Sequence, residues 1–217
     1  MKKLIILSNE KASKNDFNEY HCINLDLQIL PDGLDKYYEV ECIFRKSNKQ
    51  EKNKFEINKI KTCSNILSFL FSLFKTFSQK DIRYLIVTIT PYTFLGFILM
   101  KIFRKKDIFV YLMSSGHEEY KFILGKWSVW IYHIMFKIIT SFSKVIVCHE
   151  RLYDKEKSFL VAPSRLNNIW LNNHSLPKLD KPRLLYVGRF NPEKGIENFI
   201  NFFREFEIDC ELTIVGE

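Results

Sequence analysis

The feature that most constrains the fold is a strand–helix–strand pattern in residues 183–217. Residues 184–187 (Leu-Leu-Tyr-Val) form a short apolar run, which Gly188 and Arg189 follow directly. A helical pattern starts at Pro192, and a second apolar run, Leu-Thr-Ile-Val, leads to Gly216. The order of these elements predicts a βαβ unit, in which a helix crosses over between two strands of one sheet.

Two cations lie where the helix of this unit is expected to begin. Arg189 follows the first strand, and Lys194 is placed in the first helical turn. The first N–H groups of a helix have no partner within the helix and carry the positive end of its dipole. With two cations beside them they favour an anion, so the pattern predicts a phosphate or diphosphate ligand. The alternative is an ordinary strand–helix connection with two solvated cations.

The preceding residues alternate short apolar runs with longer helical ones, which predicts an α/β fold with a parallel sheet covered on both faces. Predicted strands are residues 4–7, 39–44, 84–89, 108–113, 145–148 and 160–161, with a further edge strand at 55–60. Predicted helices are residues 66–77, 92–103 and 122–142. Residues 84–100 are uncharged but contain Pro91, and a buried strand followed by a helix explains them better than a membrane span of about 20 residues.

Residues 164–182 form an Asn-rich stretch that directly follows Pro163 and contains Pro177 and Pro182; it has no periodicity and predicts an inter-domain connection. We therefore predict an N-terminal domain at residues 1–163, a linker at 164–182 and the start of a second domain at 183–217.

Composition limits the classes of partner. The formal net charge is +8, which favours anionic partners. Five widely spaced cysteines contain no Cys-x-x-Cys pair, which favours reduced thiols in a cytoplasmic protein and no metal site. Nucleic acid is not the expected partner, because the aromatic residues follow helical and buried-strand spacing instead of alternating with cations along an exposed strand.

The whole string at the second domain resembles glycosyltransferase family 4, retaining enzymes of the GT-B fold. The matching residues are Val187, Gly188, Arg189, Pro192, Glu193, Lys194, Gly195, Val215 and Gly216. The resemblance implies a complete N-terminal Rossmann-like domain followed by the first βαβ of a second Rossmann-like domain. It also implies that Gly188, Arg189 and Lys194 bind the diphosphate of a nucleotide-sugar donor, without a metal or other cofactor.

In the first domain the resemblance points to His117, which follows a predicted strand where the family often places a side chain that contacts the sugar. His117 is therefore the candidate catalytic residue, and the alternative is an ordinary loop histidine. The predicted loop Ser8–Tyr20 contains no glycine, whereas many relatives have a Gly-rich turn there. Its polar side chains are expected to contribute to an acceptor site.

The predicted helix 122–142 carries Trp127, Trp130, Tyr132 and Phe136 among lysines, a combination typical of adsorption to anionic lipid headgroups. A core helix with solvated lysines is the alternative. With the resemblance, this pattern suggests a cytoplasmic protein that contacts the inner face of the plasma membrane peripherally.

The function that follows from the resemblance is transfer of a hexose from a nucleotide-diphosphate sugar to a lipid-linked or surface polysaccharide acceptor, as in lipopolysaccharide or capsule biosynthesis. The Glu-x7-Glu segment of the family would lie beyond Glu217. The alternative is therefore a truncated, inactive remnant, or one half of a split glycosyltransferase that a second chain completes.

Overall fold

The computed structural model of the chain divides into two compact units, Met1–Ala162 and Pro163–Glu217. It describes residues 1–162, 172–173, 182–188, 190, 194–205, 207 and 209–216. Most of the predicted linker 164–182 therefore lies outside the described residues.

The first unit is an α/β domain built around one nine-stranded sheet. Its strands are β1 (Lys2–Lys14), β2 (Tyr20–Cys22), β3 (Tyr38–Lys46), β4 (Asn53–Lys54), β5 (Ile60–Cys63), β6 (Ile82–Ile86), β7 (Ile108–Leu112), β8 (Lys144–Val147) and β9 (Ser158–Leu160). Its α-helices are α1 (Leu25–Leu34), α2 (Ile66–Phe74), α3 (Pro91–Ile102), α4 (His117–Leu124) and α5 (Lys126–Phe142).

Parallel pairing joins most of the sheet in the order β5-β3-β1-β6-β7-β8-β9. Counted along the chain, these parallel strands follow the order 3-2-1-4-5-6-7, which is the doubly wound Rossmann order with one added strand. The strand order reverses between β1 and β6, because strands before β6 are added on one side of β1 and strands from β6 onwards on the other. The last residues of β1 also pair antiparallel with β2, and β2 pairs antiparallel with β4. These pairs form a small antiparallel extension at the carboxyl end of β1.

Two apolar clusters cover the two faces of the sheet. Successive residues of β1 alternate between them: Ile5 and Leu7 belong to the cluster with α2, α3 and α5, whereas Leu4 and Ile6 belong to the cluster with α1. Helices α2 and α3 begin at matching capping boxes on Asn65 and Thr90, and Pro91 occupies the first turn of α3. These local signals place the helix starts at the carboxyl edge of the sheet.

The predicted strand-plus-helix interpretation of residues 84–100 is confirmed by β6 and α3. Within the part of the chain that the structure describes, no helix is long and apolar enough to cross a bilayer.

Three predictions about local structure are wrong. Residues Ser8–Tyr20 are not a loop, because β1 continues to Lys14 and pairs with β2 and β3. The edge strand predicted at 55–60 is absent between β4 and β5: Phe55 and Ile57 are buried and Glu56 and Asn58 exposed, but the N–H groups of Glu56 and Ile57 donate to the Asp32 carboxylate and not to a neighbouring strand. The helix predicted at 122–142 breaks at Gly125, whose φ of 88° ends α4 and starts α5.

The second unit contains β10 (Arg183–Val187), α6 (Ile196–Arg204) and β11 (Glu211–Val215), and its two strands pair in parallel. Helix α6 contacts β10 through the rings of Phe199 and Tyr186, which stack with centroids 5.7 Å apart. Phe206 and Pro192 lie outside the described residues.

Candidate functional site

The first candidate site lies at the carboxyl ends of β1 and β6, where the strand order reverses. Ligands of open parallel sheets bind in the crevice outside this edge. Three residues of β1, Ser8–Glu10, oppose only Phe44 of β3, because the register shifts between Leu7 and Lys11. A β-bulge of this kind redirects side chains and is common beside binding sites.

Hydroxyl groups hold the bulge against the neighbouring strand. The buried Ser8 hydroxyl accepts a hydrogen bond from the Glu10 N–H at 3.2 Å and lies 3.4 Å from the hydroxyl of Thr88. The Thr88 carbonyl accepts from the hydroxyl of Thr93 in the first turn of α3, at 2.6 Å. The bulge, the end of β6 and the start of α3 therefore form one hydrogen-bonded frame.

Glu10 is the titratable group of the bulge. Burial raises the pKa of its carboxyl group, the negative charge of Glu119 acts in the same direction, and a hydrogen bond from the Asn24 side chain opposes them. A carboxylic acid with a raised pKa at the ligand-binding edge of a sheet can accept a hydrogen bond from a hydroxyl group or exchange a proton with it.

Arg45 stands near the end of β3, beside the bulge. Its guanidinium carbon lies 4.8 Å from the centroid of the Tyr92 ring, and its Nη1 donates to the Asn9 side-chain oxygen at 3.5 Å. Tyr92 is itself held by an edge-on contact with Phe69, with centroids 5.8 Å apart. This edge therefore presents a cation, an amide and a carboxyl group. Asn9 and Glu10 belong to the segment Ser8–Tyr20 that was expected to contribute to an acceptor site, whereas Arg45 was not predicted.

His117 begins α4, and its ring packs against α5. Tyr132, His133 and Phe136 surround it at centroid distances of 4.9, 5.5 and 5.3 Å. Nε2 of His117 lies 3.3 Å from Nδ1 of His133, so one ring donates to the other. Gly116, with a φ of 71°, precedes it and leaves no room for a Cβ against the Tyr132 hydroxyl group.

The second candidate site is the strand–helix junction of the second unit. Gly188 follows β10, and its N–H donates to the Val215 carbonyl at 3.0 Å. A Cβ on Gly216 would overlap the Gly188 carbonyl oxygen, so the two backbones meet where the adjacent strands end. The exposed Lys194 has 3₁₀ geometry and stands immediately before Gly195, the N-cap of α6. It is not in the first turn of α6 as expected, because Gly195 has a φ of 70° and α-helical geometry starts after it. Arg189, the other predicted cation, lies outside the described residues.

A surface depression of the first unit lies beside β2 and β4, apart from the bulge of β1. It measures about 460 Å³ and is lined by Glu19, Tyr20, Lys54, Phe55, Glu56 and Asn58. Its cation is already paired, since Lys54 Nζ lies 2.5 Å from a Glu19 carboxylate oxygen. No group of three His, Cys, Asp or Glu side chains within the described ranges is placed to hold a metal ion.

Comparison with known proteins leaves the family open. No family model matches the chain, and no curated protein matches it. A crystal structure of a UDP-N-acetylglucosamine 2-epimerase is similar over 99% of this chain, with 15% identity and a TM-score of 0.36. The chain spans 61% of that structure's length. A TM-score this low does not establish a shared fold, so the Rossmann-like assignment comes from the strand order itself.

The sequence signal for the junction was strong because it lies in contiguous residues. The first-unit site had only a partial signal: the polar residues of Ser8–Tyr20 were expected to contribute to an acceptor site, but Arg45 and Tyr92 come from two other segments. For Arg45 the available hint was a polar residue directly after an apolar run, since Arg45 follows Phe44.

Proposed function

We propose that the chain is a retaining glycosyltransferase of family 4 that transfers a hexose from a nucleotide-diphosphate sugar to a lipid-linked or surface polysaccharide acceptor. The observation that carries the proposal is the junction of the second unit. Gly188 and Gly216 meet where two parallel strands end, and Lys194 stands at the start of α6. This arrangement suits a diphosphate that approaches the backbone closely.

The chemistry assigned to this junction is charge stabilisation. In the transfer, the bond between the anomeric carbon and the diphosphate oxygen breaks, and the nucleoside diphosphate leaves with the electron pair. The acceptor oxygen forms the new bond to the anomeric carbon, and its proton passes to the oxygen of the leaving diphosphate. Lys194 and Arg189 are proposed to offset the charge that develops on the leaving diphosphate.

His117 is proposed to contact the sugar, since it follows β7 at the carboxyl edge of the first unit. Its Nε2 is engaged by His133, whereas its Nδ1 makes no hydrogen bond to any residue that the structure describes. Contact with substrate through Nδ1 would leave the His117–His133 pair intact.

Calorimetric titration with a panel of UDP- and GDP-sugars tests the donor site. We expect binding in the native chain and about tenfold weaker binding in Lys194→Ala, the loss of one charge-assisted hydrogen bond. Arg204→Ala is the matched control, because it removes a cation at the opposite end of α6. An equal loss of affinity in both variants would mean that net charge, and not a contact of Lys194, explains the weaker binding. No binding by the native chain would favour the inactive alternative.

Peripheral membrane contact is proposed for the surface formed by Phe122, Ile123, Leu124, Trp127, Trp130, Ile131 and Ile134. The side chains of Trp127 and Trp130 are 66% and 70% exposed, an unusual display of large apolar residues to water. Exposed lysines at 121, 126 and 137 flank this surface and complement anionic headgroups. Meanwhile Ser128, Tyr132, Met135 and Ile139 form the buried stripe of α5, so the exposed stripe is not needed for the core.

Flotation with phosphatidylglycerol vesicles tests this surface. We expect the native chain to float at low salt and a Trp127→Ser/Trp130→Ser variant to remain in the pellet. Phe17→Ser is the control, since Phe17 is 84% exposed on a different part of the unit. Loss of flotation in the control as well, or none in the double variant, would contradict the assignment.

A further inference from the structure

The half-buried guanidinium of Arg45 has most of its hydrogen-bonding capacity unused. A guanidinium group has five N–H donors, and within the described residues Arg45 makes one hydrogen bond, to the Asn9 side-chain oxygen at 3.5 Å. No carboxylate of the described residues lies within ion-pair distance of it. Because partial burial removes water from a charge, an unpaired guanidinium in such a place is stabilised by an anionic ligand.

Three other half-buried cations of the first unit, Lys3, Lys105 and Arg83, have close acceptors. Lys3 Nζ lies 2.7 Å from the Glu41 carboxylate, and Lys105 Nζ donates to the Phe77 carbonyl at 2.7 Å. Arg83 stacks over Tyr38 at 5.6 Å, as Arg45 does over Tyr92, but Arg83 Nη1 also donates to the Tyr38 hydroxyl group at 2.7 Å. Arg45 has the same aromatic support without that short hydrogen bond.

Position separates the two arginine–tyrosine pairs. Arg83 is the second residue of β6 and lies at the amino edge of the parallel sheet, whereas Arg45 is the last residue but one of β3 and lies at the carboxyl edge. The carboxyl edge is where open parallel sheets bind ligands. The bulge of β1 lies beside it and supplies Asn9.

We propose that Arg45, Asn9 and Tyr92 form an oxyanion site for an acidic group of the acceptor, a phosphate or a carboxylate. The Tyr92 ring fixes the plane of the guanidinium group, which then presents two parallel N–H donors to the oxygens of the anion. The Asn9 oxygen accepts from Arg45, and the NH2 group of the same amide carries two further N–H donors. Exposed Lys11 and Lys46 at this edge add positive potential.

The identification of the anion as part of an acceptor rests on the proposed glycosyltransferase function; the anion site itself does not. Phosphates and carboxylates share the two-oxygen geometry that a guanidinium group recognises. A phosphorylated acceptor and an acidic sugar are therefore separated by experiment.

Calorimetric titration of the full chain with inorganic phosphate, with glucuronate and with neutral methyl glucoside tests the site. We expect one or both anions to bind, and Arg45→Gln to weaken that binding about tenfold or more. Arg83→Gln removes the same charge and the same kind of stacking at the opposite edge, and it should leave the affinity unchanged. Preference for phosphate would identify a phosphorylated acceptor, and preference for glucuronate an acidic sugar.

Arg45→Lys provides a second variant in case Arg45→Gln fails to fold. It keeps the charge but loses the fork of paired donors, so binding weaker than native is expected. The proposal is overturned if the native chain binds neither anion, if Arg45→Gln binds as the native chain does, or if Arg83→Gln weakens binding equally.

A nucleotide-sugar titration of the same variants separates this inference from the proposed function. Arg45→Gln should retain nucleotide-sugar binding, and Lys194→Ala should retain binding of the simple anion. Anion binding without any nucleotide-sugar binding would leave the Arg45 site standing and remove the glycosyltransferase proposal. Loss of nucleotide-sugar binding in Arg45→Gln would show that Arg45 binds the donor, which overturns the acceptor assignment.

Discussion

Gly216 lies directly against the carbonyl oxygen of Gly188, closer than any side chain at position 216 would permit. This contact joins the carboxyl ends of β10 and β11, beside the N–H of Gly188 that donates to the Val215 carbonyl. The close approach of two backbones explains why glycine is required at the end of the second strand, whatever ligand binds there.

Gly216→Ala should destabilise the second unit, by about 1–3 kcal/mol, because the new methyl group must displace backbone. Amide hydrogen exchange of residues 183–187 and 211–215 measures the change. Gly33→Ala is the control, because nothing lies within 4 Å of a Cβ at this helical position. It should raise the free energy of unfolding by about 0.5–1 kcal/mol. Unchanged amide hydrogen exchange in Gly216→Ala would contradict this prediction, because it would show that the ends of β10 and β11 can move apart without loss of stability.

Glu10→Gln should raise the free energy of unfolding at neutral pH. Burial raises the pKa of the Glu10 carboxyl group in the folded state, so ionisation disfavours folding, and the native chain loses stability as pH rises from about 4.3 through the folded pKa. The neutral amide removes that loss. Urea titrations should show that Glu10→Gln has a higher free energy of unfolding than the native chain at pH 7, and that the difference is small at pH 4.

If the carboxyl group of Glu10 serves the acceptor site, the same variant should lose transfer activity while it gains stability, as functional sites often do. A variant that is less stable than the native chain at pH 7 would contradict the assignment of Glu10 as a buried, unfavourably placed acid.

Glu41→Gln should have the opposite effect on stability. Burial by itself raises the pKa of the Glu41 carboxyl group, but Lys3 and Lys61 on the two neighbouring strands outweigh it, and the net pKa is lowered. Its contribution to stability is therefore present above about pH 4.3 and is lost as pH falls through the lowered folded pKa.

Thermal unfolding of the native chain and of Glu41→Gln, measured between pH 3 and pH 7, tests this prediction. The two melting temperatures should differ most near neutral pH and converge in acid. Melting temperatures that differ equally at every pH would mean that packing, and not charge, explains the loss.

Gly116→Ala should loosen α4 from α5. Gly116 has a φ of 71°, and an added Cβ would overlap the Tyr132 hydroxyl group. We expect a loss of about 1–3 kcal/mol from strain and overpacking together. The double variant Gly116→Ala/Tyr132→Phe should recover only part of this loss in urea unfolding, since the hydroxyl group is gone but the ring carbon Cζ, 2.6 Å from the added Cβ, remains. No recovery would assign the effect to the ring carbons and the backbone conformation and not to the hydroxyl group.

Local signals in the sequence predicted a good part of the fold. The turn from β6 into α3 was predictable because Thr90 and Pro91 act within a few residues of themselves. Helix α1 was missed, because Pro31 and Gly33 within it are unfavourable for a helix and packing of Leu27 into the core outweighs them.

The sequence by itself determined the alternation of strands and helices, the capped helix starts and the contiguous Gly188–Lys194–Gly195 junction, since each depends on neighbouring residues. Tertiary structure alone decided that β1 continues through a bulge to Lys14, and that Ser8 meets Thr88 across 80 residues of chain. It also decided that Arg45 lies over Tyr92 at the carboxyl edge. The physical reason is that strand pairing and side-chain packing join distant segments. The free energy of those contacts depends on both partners, so it cannot be inferred from the sequence of either segment alone.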